Sequence, residues 1–133
     1  MMARPVPITD DVDTGGFWAA AKTGRLAIRC CPNCSTWVHL PRVFCPLCHH
    51  RGTTWKQVRG LGRLYTWAIV EQQIDPAFPV PYTLVVVTPV DAPDVRLIGR
   101  LDGAPELAAD MLMEIVFDAL TSSIALPQWK PRV

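Results

Sequence analysis

Four of the five cysteines in this 133-residue chain fall into two Cys-x-x-Cys pairs, Cys31-Pro-Asn-Cys34 and Cys45-Pro-Leu-Cys48, ten residues apart. Each pair can turn two thiolates toward one point. Two facing pairs complete a tetrahedral four-sulfur shell, the ligand set of a zinc ribbon. With protein sulfur in every position, no site is left for water or substrate, so the expected Zn2+ holds structure and does no chemistry. Two disulfides or free thiols are the alternative use of these residues. They belong to an oxidising compartment, and the start of the chain argues against export. Met1 to Pro7 leads into Thr9, Asp10, Asp11 and Asp13, where a secretory leader would carry an apolar stretch. A reducing cytoplasm is the expected setting, and no apolar run approaches the roughly 20 residues that cross a bilayer.

Other reactive groups are sparse. A nucleophile elbow, a phosphate-cradling glycine loop and a dinucleotide fingerprint are all missing. His39 lies between the cysteine pairs, His49 and His50 follow Cys48, and these are the only histidines. Glu71, Asp75, Asp91, Asp94 and Asp102 fall mostly in turns, where carboxylates are usually solvated, and Cys30 is an odd thiol beside a ligand. No catalytic residue is expected. Charge is distributed unevenly. Through Arg59 the chain has eight Lys/Arg against three Asp; from Gly60 on it has five against nine Asp/Glu. Arg25, Arg29, Arg42, Arg51, Lys56 and Arg59 flank the cysteine pairs, either as solvated surface or as a patch for the phosphates of a nucleotide-like ligand.

The elements expected to carry these residues are short. An extended arm leads to a helix capped by Asp13 or Thr14, running to about Thr23 and ended by Gly24. Its Phe17, Trp18 and Ala21 share a face that must pack on the body or on a partner. A strand over Leu26–Arg29 enters the first knuckle. Trp37, Val38, Leu40, Pro41, Val43 and Phe44 are read as an apolar loop folded over the metal. From Thr54 the period is two, and strands are expected over Trp55–Arg59, Arg63–Glu71, Tyr82–Thr88, Val95–Leu101, about Met113–Ala119 and Ser122–Leu126. Leu64 and Trp67 fall on opposite faces of their strand. A proline-rich loop spans Asp75–Pro81, and Pro105–Ala109 is at most a helical turn. This pattern predicts a mainly β protein: an N-terminal arm and short helix (1–25), a rubredoxin-like zinc ribbon (26–53) and a five- to six-stranded OB-fold barrel (54–133), closed to hide its edges.

The order of these motifs resembles one family, the zinc ribbon plus OB-fold proteins of domain of unknown function thirty-five. The matching residues are Phe17-Trp18, Gly24-Arg25-Leu26, Arg29 before the first knuckle, Pro41-Arg-Val-Phe-Cys45-Pro46-Leu-Cys48, Gly62, Tyr65-Thr66, Pro81-Tyr82, Arg96-Leu-Ile-Gly99-Arg-Leu101 and Val116-Phe117. They run through nearly the whole chain. Two positions depart from the family pattern: Ser35 where glycine is usual after the first knuckle, and Asp110-Met111 where Gly-Met is usual. The resemblance implies a non-catalytic accessory subunit in a hetero-oligomer with a thiolase-fold or hydratase-like enzyme. Such a subunit helps to shape the site for an acyl-CoA thioester. The reactions implied are ketoacyl or acyl transfer, thiolysis, or retro-aldol cleavage of steroid side chains. The positive cluster then offers Arg25, Arg29, Arg42 and Arg51 to CoA phosphates. A single-stranded nucleic-acid module is the competing reading, because ribbons and OB barrels both serve that role. The acidic second half opposes it, so neither nucleic acid nor membrane is an expected partner.

Overall fold

A computed structural model describes residues 4–132. Thr14 stands at the N-cap position of the one α-helix among the described residues, α1 (Gly15–Ala21), and Asp11 accepts hydrogen bonds from the Thr14 N–H and hydroxyl just ahead of it. The helix ends two residues earlier than expected. Gly24, at a φ of +77°, reverses the chain so that the Arg25 N–H reaches the Ala20 carbonyl. The helix lies against the first strand and the last. Phe17 packs on the central core, so this aromatic serves the body of the protein.

Three strands form the ribbon sheet: β1 (Leu26–Cys30), β2 (Trp37–Val38) and β3 (Thr54–Val58), in the order β2-β1-β3. The expectation sets β3 with the barrel. Its ladder instead runs antiparallel to β1 over the full length of both, from Leu26 opposite Val58 to Cys30 opposite Thr54. A second sheet comprises β4 (Leu61–Val70), β5 (Tyr82–Pro89), β6 (Leu97–Asp102), β7 (Leu112–Ala119) and β8 (Ala125–Pro131), in the order β6-β5-β4-β7-β8. It curls into the OB-like barrel. At the seam between β6 and β8 the Gln128 side-chain oxygen accepts the Arg100 N–H at 2.7 Å. Gly99 permits this approach, because a Cβ there would sit 3.1 Å from the Trp129 ring.

Two strand expectations change for identifiable reasons. A bulge between Leu64 and Thr66 leaves Tyr65 out of the β4–β5 pairing and shifts the side-chain alternation by one. Leu64 and Trp67 therefore both reach the core. The last strand lies further along than Ser122–Leu126, and it contains Pro127 and Pro131. It pairs by a ladder with β7 alone, so missing N–H groups on its other side cost nothing. Residues 105–108 have no regular structure and a turn follows at Ala109–Asp110, within the limit of at most a helical turn set for Pro105–Ala109.

One hydrophobic cluster unites the two sheets. Leu26 and Ile28 of β1 and Val58 of β3 pack with Leu64, Val85, Val87, Leu97, Met113 and Trp129 of the barrel. The base of the ribbon thus shares the barrel's core, and only its metal-binding tip stands clear. Trp129 is 1 % exposed at the meeting point. Trp129→Ala is expected to cost about 3–5 kcal/mol and to lower the thermal midpoint followed by circular dichroism, with a single transition for ribbon and barrel together.

Candidate functional site

The ribbon tip is made of two knuckles of the same design. After β1, the Ser35 N–H donates to the Cys31 carbonyl at 2.8 Å and the Cys31 N–H to the Thr36 carbonyl at 2.8 Å. In the second knuckle the His49 N–H donates to the Cys45 carbonyl at 3.0 Å and the Cys45 N–H to the His50 carbonyl at 2.9 Å. Each knuckle needs a left-handed residue straight after its second cysteine. Ser35 (φ 62°) and His49 (φ 64°) take that place. This explains why glycine is the usual residue at position 35, since a Cβ is strained in that region. The other departure has the same origin. Asp110 turns at φ 66° between the linker and β7, a conformation that Asp tolerates better than most residues.

All four sulfurs, of Cys31, Cys34, Cys45 and Cys48, lie within 4.8 Å of one another. Cys31 and Cys48 approach to 3.5 Å, and Cys34 and Cys45 to 3.7 Å. A tetrahedron with metal–sulfur bonds of about 2.3 Å has edges of about 3.8 Å, so the cluster has the size that zinc requires. Cys31 and Cys45 are buried, while Cys34 and Cys48 face solvent. The surroundings divide the thiols by acidity. Burial pushes Cys31 up to about 11. The Asn33 amide, 3.5 Å from its sulfur, and the His50 N–H hold Cys48 down to about 6. Cys30 is buried beside the cluster but is not part of it.

The six basic residues do not converge. Arg29 is buried, and its donors are taken by backbone: Nη1 reaches the Thr53 carbonyl at 2.8 Å, Nη2 the Val12 carbonyl at 2.8 Å and Nε the Asp13 carbonyl at 3.2 Å. Its guanidinium lies over the Trp55 ring at 4.8 Å, and that ring in turn presses on Gly16 of α1. Arg29 therefore clamps the N-terminal arm to the ribbon, with four of its five guanidinium N–H groups engaged inside the protein. Thr53 completes the clamp by donating its hydroxyl proton to the Arg42 carbonyl. Lys56 lies over Trp37, and Arg59 pairs with Asp91 at 2.7 Å. Arg25, Arg42 and Arg51 remain exposed. Arg25 precedes β1 at the end opposite the cysteines, whereas Arg42 and Arg51 lie on the second-knuckle loop, where Phe44 bridges to Arg51.

The inter-knuckle loop also departs from expectation. Val38 is buried and Trp37 half-buried, but Leu40 is 74 % exposed, Phe44 50 % and Leu47 71 %. These side chains face solvent. Phe44 and Val43 form one wall of an open cleft with His49 and Arg51. On the other side, His39 and Leu40 face Phe17, Asp94 and Arg96 across a second cleft, where burial lowers the His39 pKa below the ordinary imidazole value. Length and polarity gave no signal for this exposure. Apolar residues between metal ligands read the same whether they cover the ion or point outward.

Two family profiles match this chain: the ChsH2 rubredoxin-like zinc ribbon domain over residues 18–54 and the ChsH2 C-terminal OB-fold domain over residues 55–118. The chain belongs to the ChsH2-type DUF35 family. A solved structure titled "Ltp2-ChsH2(DUF35) aldolase" superposes with a TM-score of 0.84 at 26 % identity, covering 98 % of this chain and all of that one. A DUF35-family protein of unknown function from Sulfolobus solfataricus shares the fold, with a TM-score of 0.61 at 11 % identity over 77 % of this chain and 76 % of that one. A curated relative from Thermomonospora curvata, named "Probable enoyl-CoA hydratase alpha subunit", is 30 % identical over 132 residues, or 98 % of this chain. The chain spans 40 % of that relative's length. No helix among the described residues is long and apolar enough to cross a membrane.

Three outcomes test the ribbon of this DUF35 protein. Zinc must displace the proton that Cys31 holds at neutral pH, whereas Cys48 arrives as thiolate above about 6. In chelator competition, zinc affinity is therefore expected to fall as pH drops, with the slope steepening below pH about 6 as Cys48 also takes up a proton. Asn33→Ala should move that break to higher pH. Arg29→Met strips hydrogen bonds from the buried Thr53 carbonyl and from the carbonyls of Val12 and Asp13 on the arm, and is expected to cost about 2–3 kcal/mol in chemical denaturation. Ser35→Gly relieves the left-handed strain and is expected to stabilise the zinc-loaded chain by about 0.5–1 kcal/mol in the same measurement.

Proposed function

We propose that the chain is a non-catalytic accessory subunit, docking through its zinc ribbon onto a thiolase-fold or hydratase-type enzyme and helping to shape that enzyme's site for an acyl-CoA thioester. The observation that carries this reading is the apolar tip. Leu40, Val43 and Phe44 stand exposed on the loop between the two knuckles, and Leu47 stands exposed inside the second knuckle, so all four are held by one metal cluster. Exposed apolar groups clustered on a rigid loop are characteristic of an interaction surface. The metal holds them in one shape before the partner arrives, so little ordering entropy opposes docking. Ile98, 71 % exposed on β6, shares a cleft with Leu40 and extends the apolar surface toward the barrel.

The relatives point the same way. One is a ChsH2(DUF35) protein titled with Ltp2 as an aldolase, and the other is named as a subunit of an enoyl-CoA hydratase. Beside the tip, Arg42 and Arg51 are placed to meet phosphates of a CoA thioester held mainly by the partner, with Arg25 as a more distant contributor. The partner supplies the acid, base and nucleophile for ketoacyl or acyl transfer, thiolysis or retro-aldol cleavage. Steroid side-chain thioesters are the substrate class that the family resemblance favours.

Co-expression with a thiolase-fold or hydratase-type partner is expected to give a hetero-oligomer that survives gel filtration. Phe44→Asp and Leu40→Asp should each weaken that complex by about tenfold or more while leaving one zinc per chain by elemental analysis. Undiminished association of both variants would rule out docking through the ribbon tip. Arg42→Ala with Arg51→Ala should raise the KM of the complex for acyl-CoA and leave kcat nearly unchanged.

A further inference from the structure

On the outer face of the barrel a cavity of about 220 Å³ opens, sharing Ile98 with the cleft beside Leu40. Leu84 of β5, Ile98 of β6 and Leu126 of β8 give it an apolar floor, and Arg4, Phe78 and Arg100 stand around it. The two guanidinium groups flank one ring: Arg4 lies 5.8 Å and Arg100 5.5 Å from the Phe78 centroid. Arg4 is tied down through Nη1, which donates to Asp118 at 2.8 Å. Its Nε is shielded from solvent and has no hydrogen-bond partner, the single such side-chain atom among the described residues. Arg100 is held at its backbone by Gln128, and its Nη1 meets Asp102, whose side chain is 92 % exposed.

We infer that this cavity binds a small anion, a carboxylate or phosphate group carried on a short apolar or single-ring body. A guanidinium presents parallel donors along its Nε–Nη2 edge, matched to the two oxygens of such a group. In Arg4 the Asp118 contact uses Nη1 and leaves that edge to a ligand. A buried N–H without an acceptor is costly, and a small shift of the Arg4 side chain, which is 27 % exposed, brings it to an anion oxygen. Arg100 supplies the second cation, because a pair with an almost fully exposed carboxylate is weak and readily exchanged. Leu84, Ile98 and Leu126 then cover the apolar body, and the modest volume excludes a large one. The two arginines and the two aspartates balance in charge. Attraction is therefore short-ranged, and it selects a ligand that fits over one that is merely negative.

The test uses the full zinc-loaded chain without any partner enzyme, so its outcome is separate from that of the docking reading. Arginine Nε–H and backbone amide NMR signals are followed while phenyl phosphate, benzoate or neutral benzyl alcohol is added. At least one of the two anions is expected to shift the Arg4 Nε–H and the Gly99 and Arg100 amides saturably, and the stronger one identifies the phosphate or carboxylate preference. Arg4→Gln and Arg100→Gln should each weaken binding about tenfold, while the exposed Arg132→Gln leaves it unchanged. Phe78→Leu keeps both ion pairs and should weaken binding several-fold, which covers the case in which loss of the Arg4–Asp118 pair disturbs the fold. Three results would overturn the inference: no saturable shift with either anion at millimolar concentration, equal binding of benzyl alcohol, or unchanged affinity in both Arg100→Gln and Phe78→Leu.

Discussion

Four sulfurs drawn to one point set the shape of the exposed half of this molecule. A loop of apolar residues cannot hold itself open in water, because its side chains gain by collapsing inward. Coordination reverses that balance. Structural zinc in modules of this size contributes about 10–16 kcal/mol of apparent binding energy, far more than collapse of the few exposed side chains at the tip can return. Leu40, Phe44 and Leu47 are thereby kept outward, on a surface that is ordered and still unsatisfied. Stability and stickiness come from the same ion.

The metal does not act on an isolated module. Leu26, Ile28 and Val58 send the base of the ribbon into the barrel's core, and Arg29 binds the arm, the ribbon and Thr53 through backbone carbonyls. The tip is consequently a rigid extension of the barrel, so a partner seated on the ribbon is held in a defined position relative to the barrel face. Such rigidity suits the proposed docking role, because the geometry is established before any complex forms.

The barrel shows the same economy. Its seam is closed without a ladder: Pro127 and Pro131 have no N–H to donate from β8, and the Gln128 side-chain oxygen instead accepts the Arg100 N–H of β6. Gly99 lets the strands come close enough for that contact. The bulge at Tyr65 bends β4 around the core and lets it present Leu64 and Trp67 to the same interior.

The four metal ligands, the mainly β character, the ribbon-then-barrel order and the positions of most strands were legible from residue types and spacing. These features depend on local rules: two-residue gaps between cysteines, alternation along strands, proline and glycine at breaks. Ser35 and Asp110 were visible as departures, but their common cause, a left-handed backbone, appears only in three dimensions. Tertiary structure alone decided that Arg29 is a buried clamp, that the inter-knuckle loop faces outward, that β3 pairs with β1, and that Arg4, Phe78 and Arg100 meet. Each of these depends on contacts between residues far apart in the chain. A charged or apolar side chain has the same local signature whichever way the distant surface it packs against is turned.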